Sequence, residues 1–218
     1  MMDAKELIAR RVAREIMPGT LVNLGIGLPS MVANFVPEGL GVFFQAENGV
    51  IGLGARPPEG MEDHHLTDAG GGFVTAVPGA ASIDSAMSFG LIRGGHLDMT
   101  VLGGLQVDEA GHLANWKVPG KMVPGMGGAM DLVTGAARVI VAMQHSAKGA
   151  SKIVPRCTLP LTALRRVDLI VTDLAVIEPT GAGLVLKERA PGVSIDDIRA
   201  ATEAALVIPD EVPEMTLI

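Results

Sequence analysis

Glu47 stands in the run FFQAENGVIGLG, residues 43–54, where an apolar stretch ends on one carboxylate followed by Asn-Gly and more glycine. Such an acid has two uses. It can close an Asn-Gly turn at the surface, or cap a helix that begins in GVIGLG. Alternatively it is a nucleophile held at a strand end, with Gly49, Gly52 and Gly54 letting the backbone come close to a bulky ligand. The residue types alone leave both open, and the setting favours the second, because ligands bind outside the carboxyl ends of strands in open α/β sheets. A second glycine cluster, GMGGAMD, stands at 125–131.

Other reactive side chains give weaker patterns. His64 and His65 lie near Asp63 and Asp68, but adjacent histidines rarely share one ion and no third ligand stands at metal spacing. Cys157, in PRCTLP, has no histidine near it in sequence, so a small buried hydrophobe is the expectation. His96 and His112 follow glycines and read as turn histidines, and His145 closes the strand-like VIVAMQH. Lys121 is the cation best placed to meet a substrate carboxylate or phosphate, with an ordinary solvated lysine as the alternative. Met122, Met126 and Met130 flank the second glycine cluster and suit either core packing or a flexible ligand arm. Trp116 is open between interface and ligand contact.

The elements that must hold these groups follow from periodicity. Asp3 and Glu6 form a capping box, and Ile8, Val12 and Ile16 recur at helical spacing before Pro18-Gly19. Leu21–Leu24 reads as a strand entering GIGLPS, where Pro29 and Ser30 open a helix to about Val36. Val42–Phe44 is the next strand, and 52–72 reads as a long ordered loop. Ser82–Ile92 and Gly127–Ala136 read as helices, Met99–Leu102, Val139–Met143 and Leu169–Thr172 as strands, and Gln106–Asn115 as a hairpin. Ala175–Ile177 and Gly183–Leu186 pair around Pro179-Thr180-Gly181, and a helix capped by Ser194 and Asp197 runs to about Leu206. The strands are short apolar blocks rather than alternating, so the expected class is α/β, a mostly parallel central sheet covered by helices. With 218 residues and no visible linker, one domain over 1–218 is expected.

Composition excludes several classes. A net charge of -7, with basic residues scattered, provides no stripe to neutralise phosphates, so neither nucleic acid nor a membrane surface is an expected partner. No apolar run approaches the ~18 residues of a membrane span, and the first residues read as a charged helix rather than a signal peptide. One cysteine permits no intrachain disulfide, which suits a cytoplasmic location. Only 19% of residues are charged, less than the usual quarter, so part of the surface is expected to be covered by another subunit.

Five blocks in order carry a family resemblance: NLGIGLPS at 23–30, ENGVIGLG at 47–54, PGAASIDSAMSFGLIRGGHLDMTVLGGLQVD at 78–108, GHLANWKVPGKMVPGMGGAMDLV at 111–133 and KIVPRCTLPLT at 152–162. The chain resembles the B-type, or beta, subunit of class I coenzyme A transferases acting on 3-oxoacids, over nearly its whole length. The resemblance implies the fold shared by these transferases and some sugar-phosphate isomerases. It implies Glu47 as nucleophile with Asn48 and Gly49 beside it. It further implies a backbone oxyanion donor at Gly128 next to Gly127, and the Gly25–Gly27 turn lining the coenzyme A region. An A-type, or alpha, subunit would complete a hetero-oligomer, with acyl-CoA and small carboxylic acids as ligands. No cofactor and no metal are implied, because coenzyme A is itself a substrate. Ala46 stands where the family often has serine, and GARPPEG and DAGGGFVT depart from its usual loops.

The chemistry of moving coenzyme A between acids fits a carboxylate, which can become an anhydride and then a thioester. Succinyl-CoA or acetyl-CoA would be the donor and an acid such as acetoacetate or 3-oxoadipate the acceptor. The rivals are an acyl-CoA hydrolase, which needs a base over Glu47 that no motif nominates, and a non-catalytic partner chain that binds coenzyme A. A dinucleotide oxidoreductase is weaker, since GIGLPS and GLGARP lack the spaced fingerprint.

Overall fold

The computed structural model describes residues 2–120 and 126–218. In chain order the elements are α1 (Ala4–Ala13), β1 (Leu21–Leu24), a 3₁₀ helix (Pro29–Phe35), β2 (Phe43–Ala46), β3 (Val50–Leu53), β4 (Ala76–Ser82), α2 (Ser85–Arg93) and β5 (Met99–Leu102). Next come β6 (Gln106–Asp108), β7 (Leu113–Ala114), α3 (Ala129–Gly135), β8 (Arg138–Ala142), β9 (Ser146–Ala147), β10 (Ala150–Ser151), β11 (Ile153–Val154) and β12 (Leu169–Val171). The chain closes with β13 (Ala175–Thr180), β14 (Gly183–Arg189), α4 (Ile195–Ala201) and β15 (Leu206–Val207).

Ten strands form one sheet in the order β15-β14-β13-β12-β8-β5-β1-β2-β3-β4. From β12 to β2 every pairing is parallel, whereas β2-β3-β4 and β12-β13-β14 are antiparallel hairpins added at the flanks. The parallel strands read as blocks because both faces are buried, and successive side chains supply two cores. In β8, Val139 and Val141 join Ile92, Leu132 and Ile198 beneath α2, α3 and α4. Ile140 and Ala142 point the other way, to Ile8, Val12 and Val32 under α1 and the 3₁₀ helix. Since the central strands run in one direction, the Gly25 turn, Glu47, Gly103 and His145 all emerge at one edge of the sheet.

Several boundaries differ from the sequence reading for physical reasons. Asp3 caps α1 by accepting from the Lys5 N–H, but Glu6 turns to Arg10 at 2.8 Å instead of closing a capping box. The segment opened by Pro29 is wound as a 3₁₀ helix. The loop expected over 52–72 is present from Gly54 onward, only its first two residues belonging to β3, which turns back against β2; beyond the loop, β4 is an exposed edge strand that tolerates Pro78 where no further strand needs its N–H. The last helix has the expected reciprocal Ser194/Asp197 cap but stops at Ala201, and Leu206–Val207 instead pairs in parallel with β14. Among the described residues no helix is long and apolar enough to cross a membrane.

Two polar clusters join the layers away from Glu47. The buried Arg11 of α1 donates through Nε and Nη2 to both Glu188 oxygens at 2.7 Å and through Nη1 to Glu15 at 2.6 Å. Burial alone would raise the Glu15 carboxyl, but Arg11 and Arg138 outweigh it and hold the group below its ordinary range. His145 lies with its ring nitrogens 2.9 Å from the hydroxyls of Thr172 and Thr202, tying the end of β12 to the end of α4. Burial lowers its imidazole to about 4 against a smaller opposing pull from Asp173, so it folds neutral.

A depressed histidine makes the unfolded chain bind the extra proton between about pH 6.5 and 4, so stability falls as pH falls through that window. The His145 contribution lost between pH 7 and 4.5 should be about 2–3 kcal/mol. Urea unfolding of the wild type and of His145→Gln at both pH values measures it, and equal pH slopes for the two proteins would dismiss His145 as the source.

Candidate active site

Glu47 follows the last residue of β2, in the tight turn to β3, so it is both the turn acid and the strand-end acid that the sequence left as alternatives. The turn is built by Gly49 at φ +121°, whose N–H donates to Ala46 O at 3.0 Å. A Cβ there would stand 2.0 Å from the Ile83 carbonyl, so only glycine fits. The Glu47 side chain is half-buried, on the sheet face covered by α2 and α3.

Three neighbouring strands each place one polar side chain beneath it. Register sets Asn23 of β1 directly between Gln45 of β2 and Thr100 of β5, and all three are buried. Asn23 Nδ2 donates to Glu47 Oε2 at 3.2 Å, to Gln45 Oε1 at 3.0 Å and to Gln45 O at 3.1 Å. Thr100 donates to Asn23 Oδ1 at 3.2 Å, and Gln45 Nε2 donates to the buried Ser88 hydroxyl of α2 at 2.8 Å. The row is the positioning device that the sequence reading missed. Its signal was present as one polar residue inside each of the short apolar strands LVNL, FFQA and MTVL.

The structure brings Gly128 to Glu47. Gly128 is buried at the start of α3, and a Cβ on it would lie 3.2 Å from Glu47 Cγ and 3.3 Å from the Phe89 ring of α2. Gly127 precedes it at φ +55°. Gly25 continues β1 by donating to Val101 O at 2.8 Å, and Gly27 turns the chain at φ +86°. Asn48 directs its amide away from the carboxylate, donating to Thr67 O at 2.8 Å, and so pins the 54–75 loop to the turn. Lys121 and Met122 lie outside the described residues.

That loop is ordered by its own side chains. Asp68 Oδ1 accepts from the N–H groups of Gly70 and Gly72 at 2.8 Å each, Asp63 accepts from His65 N–H at 2.8 Å, and His64 meets Phe73 edge to face. The Asp63-His64-His65-Asp68 cluster thus shapes turns, and among the described residues no three His, Cys, Asp or Glu side chains converge as a metal site requires. Gly70 lies beside Ile26, so the loop tip borders the Gly25–Gly27 turn. Cys157 is held protonated, because burial and then Asp108 push its thiol up to about 12. Trp116 donates its indole N–H to Leu161 O at 3.2 Å.

A cavity of about 840 Å³ opens between the 3₁₀ helix, Phe44, Leu53 and the 54–75 loop, and Glu47 is not among its walls. Phe44 belongs to the α1-side core, so the cavity occupies the opposite sheet face. The candidate site is assigned to Glu47 instead, since the carboxylate, its buried amide donor and the glycine approach converge there.

The sequence model of the family described as Coenzyme A transferase matches residues 5–201. The chain is 54% identical over 217 residues to the beta chain of an acetate CoA-transferase of Haemophilus influenzae, covering 99% of this chain and 97% of that one. It is 48% identical over 213 residues to the B-type chain of a probable succinyl-CoA:3-ketoacid coenzyme A transferase of Bacillus subtilis, covering 97% and 99%. Among solved structures, an acyl-CoA transferase apoenzyme from Escherichia coli O157:H7 superposes with a TM-score of 0.80 at 25% identity. That alignment covers 98% of this chain and 43% of the larger one, so the chain spans about two fifths of that structure.

Proposed function

Because this chain belongs to the coenzyme A transferase family, we propose that it is the nucleophile-bearing subunit of an enzyme that moves coenzyme A between an acyl-CoA and a free carboxylic acid through Glu47. The observation that carries the reading is the meeting of a strand-end carboxylate with an abutting glycine, over a buried amide that fixes one of its oxygens.

Glu47 Oε1 attacks the acyl carbonyl of the incoming thioester, the C–S bond breaks, and a mixed anhydride and the coenzyme A thiolate result. The thiolate then adds to the Glu47 carbonyl carbon and expels the donor acid as carboxylate, leaving a glutamyl-CoA thioester. The acceptor carboxylate attacks that thioester, releasing the thiolate, which takes the new acyl group and restores Glu47. Every incoming nucleophile is already an anion, so no general base is required. Gly128 is the proposed backbone donor for oxyanions on the substrate acyl group.

Relatives named as beta or B-type chains imply an alpha or A-type partner, and we place the remaining half of the site on that chain. Acetate and 3-oxoacids are the proposed acid classes, with succinyl-CoA or acetyl-CoA as donor. Coenzyme A acts as substrate rather than resident cofactor, and the cytoplasm is the proposed compartment. Hydrolysis is the weaker reading: the side chain bonded to Glu47 among the described residues is an amide, which cannot take a proton from water.

The test is mass spectrometry of the peptide containing Glu47, after this chain is assembled with its A-type partner and given acyl-CoA without acceptor. A coenzyme A adduct on Glu47 is expected. Hydrolysis or retention of substrate with no adduct would overturn the reading.

A further inference from the structure

We propose that Arg165 is a positioning residue for the transfer reaction: its guanidinium ties off the far end of α3 and so holds the Gly128 backbone against Glu47 at the near end. The proposal deepens the reading above and rests on Glu47 being the nucleophile with Gly128 as the donor beside it.

The need for such a tie arises from α3 itself. Its N-cap is Gly128, which has no side chain to bond the first-turn N–H groups. The position has to be bare, because Glu47 Cγ and the Phe89 ring lie 3.2 and 3.3 Å from where a Cβ would stand. The helix is only seven residues long, too short to stay wound on propensity alone. At its other end the C-cap Ala136 is extended, at φ −65° and ψ 144°, so the left-handed residue that commonly closes a helix is not used.

Arg165 supplies the cap from outside. Nη1 donates to the carbonyls of Val133 at 3.1 Å, Thr134 at 3.3 Å and Ala136, and Nη2 donates to Ala137 O at 3.0 Å. Four carbonyls at and just beyond the last turn, the groups a helix leaves unpaired, thus converge on one guanidinium. Nη2 also lies 3.4 Å from Asp168 Oδ2, and that oxygen accepts from the Val139 N–H at 2.7 Å, which anchors the cation to β8. The rigid fork matters here, since a single ammonium cannot reach so many oxygens at once.

The link from this clamp to Glu47 is short. A Cβ on Gly135 would stand 2.2 Å from the Ile92 carbonyl, so the last turn of α3 rests directly on the last turn of α2. The first turn is tied to α2 by Arg93 Nε and Asp131 Oδ1 at 2.7 Å, but the Arg93 side chain is 68% exposed and such a pair is weak. The Leu132 N–H donates to Gly128 O at 2.9 Å and is the first rung of the helix. If the last turn frays, one turn is left, and a single turn does not persist unaided. Gly128 is then freed together with that rung.

The experiment compares wild type with Arg165→Met, which keeps the aliphatic stem and removes the fork, and with Arg165→Lys, which keeps the charge with fewer bonds. Each is assembled with the A-type partner. The readouts are kcat, KM for acyl-CoA, the rate of coenzyme A adduct formation on Glu47 and hydrogen exchange at the Leu132 amide. Arg165→Met should lower kcat and the adduct rate about 10-fold with KM changed less than about twofold, and should speed exchange at Leu132. Arg165→Lys should fall between it and wild type. A purely structural Arg165 would lower the melting temperature and the yield of assembled enzyme while leaving kcat per assembled site unchanged. That result, with an adduct on wild-type Glu47, would overturn the Arg165 proposal alone, whereas absence of any wild-type adduct would overturn the Glu47 reading. If Arg165→Met does not assemble, Arg165→Lys decides: a reduced kcat at unchanged KM sustains the proposal, and a kcat equal to wild type rejects it.

Discussion

Glu47→Gln, in the chain assembled with its partner, should lose coenzyme A exchange by on the order of 10⁴-fold or more while remaining folded and able to bind acyl-CoA. The substitution keeps length and shape. A glutamine oxygen can still receive the Asn23 bond, and the turn through Gly49 is unaffected, so the stability change should stay within about 1 kcal/mol. What disappears is the anionic oxygen that forms the anhydride, and the neutral amide has no comparable electron pair to offer. Exchange between labelled acid and acyl-CoA, read beside a thermal melt and a binding titration, separates these effects. Turnover within tenfold of wild type would remove Glu47 from the chemistry, and a collapsed melt would move the effect from reaction to folding.

How much of this was legible in the sequence depends on what kind of force placed each part. The five parallel strands were visible because burial on both faces demands apolar blocks, as in MTVL and RVIVA. The hairpins at 106–114 and 175–189 were visible because turn residues separate short apolar runs. β3 and β4 were obscured because each carries glycine, and β4 lies on an edge, exposed and interrupted by Pro78, where neither alternation nor a block is required. The overrun of α4 has a comparable origin. The residues AALVI at 204–208 extend an apolar pattern compatible with a helix, and pairing of Leu206 and Val207 with Leu184 and Val185 decides otherwise.

The site divides along the same line. Glu47 announces itself as a lone carboxylate at a strand end, and the family resemblance singled out the glycine clusters, so all of them could be nominated without coordinates. Asn23, Gln45, Thr100 and Ser88 come from four segments and have meaning only in register, when Asn23 falls between its neighbours. A polar residue inside LVNL has many explanations in isolation. Three such residues side by side beneath one carboxylate have far fewer.

Gly128 and Gly49 provide the sharper contrast, because both lie beside Glu47 and both look like permissive glycines in the sequence. Gly128 has φ −82° and ψ 4°, a backbone that alanine adopts without strain, and its close neighbours are side-chain atoms of Glu47 and Phe89. Gly128→Ala should therefore fold with a stability change of about 1 kcal/mol or less. Its methyl, 3.2 Å from Glu47 Cγ, pushes the nucleophile off its line and narrows the approach of the acyl carbonyl. A displacement of a few tenths of an ångström, together with a less accessible backbone donor, should lower kcat by about 10–10²-fold. Gly49→Ala differs in kind: φ +121° and a 2.0 Å clash with a backbone carbonyl oblige the turn itself to move, so folding and activity fall together. Measuring kcat, adduct formation and the melting temperature for both variants discriminates approach from scaffold. A Gly128→Ala enzyme with wild-type kcat would mean that the acyl group reaches Glu47 from another side, and a melt as damaged as that of Gly49→Ala would make Gly128 a residue of the fold rather than of the reaction.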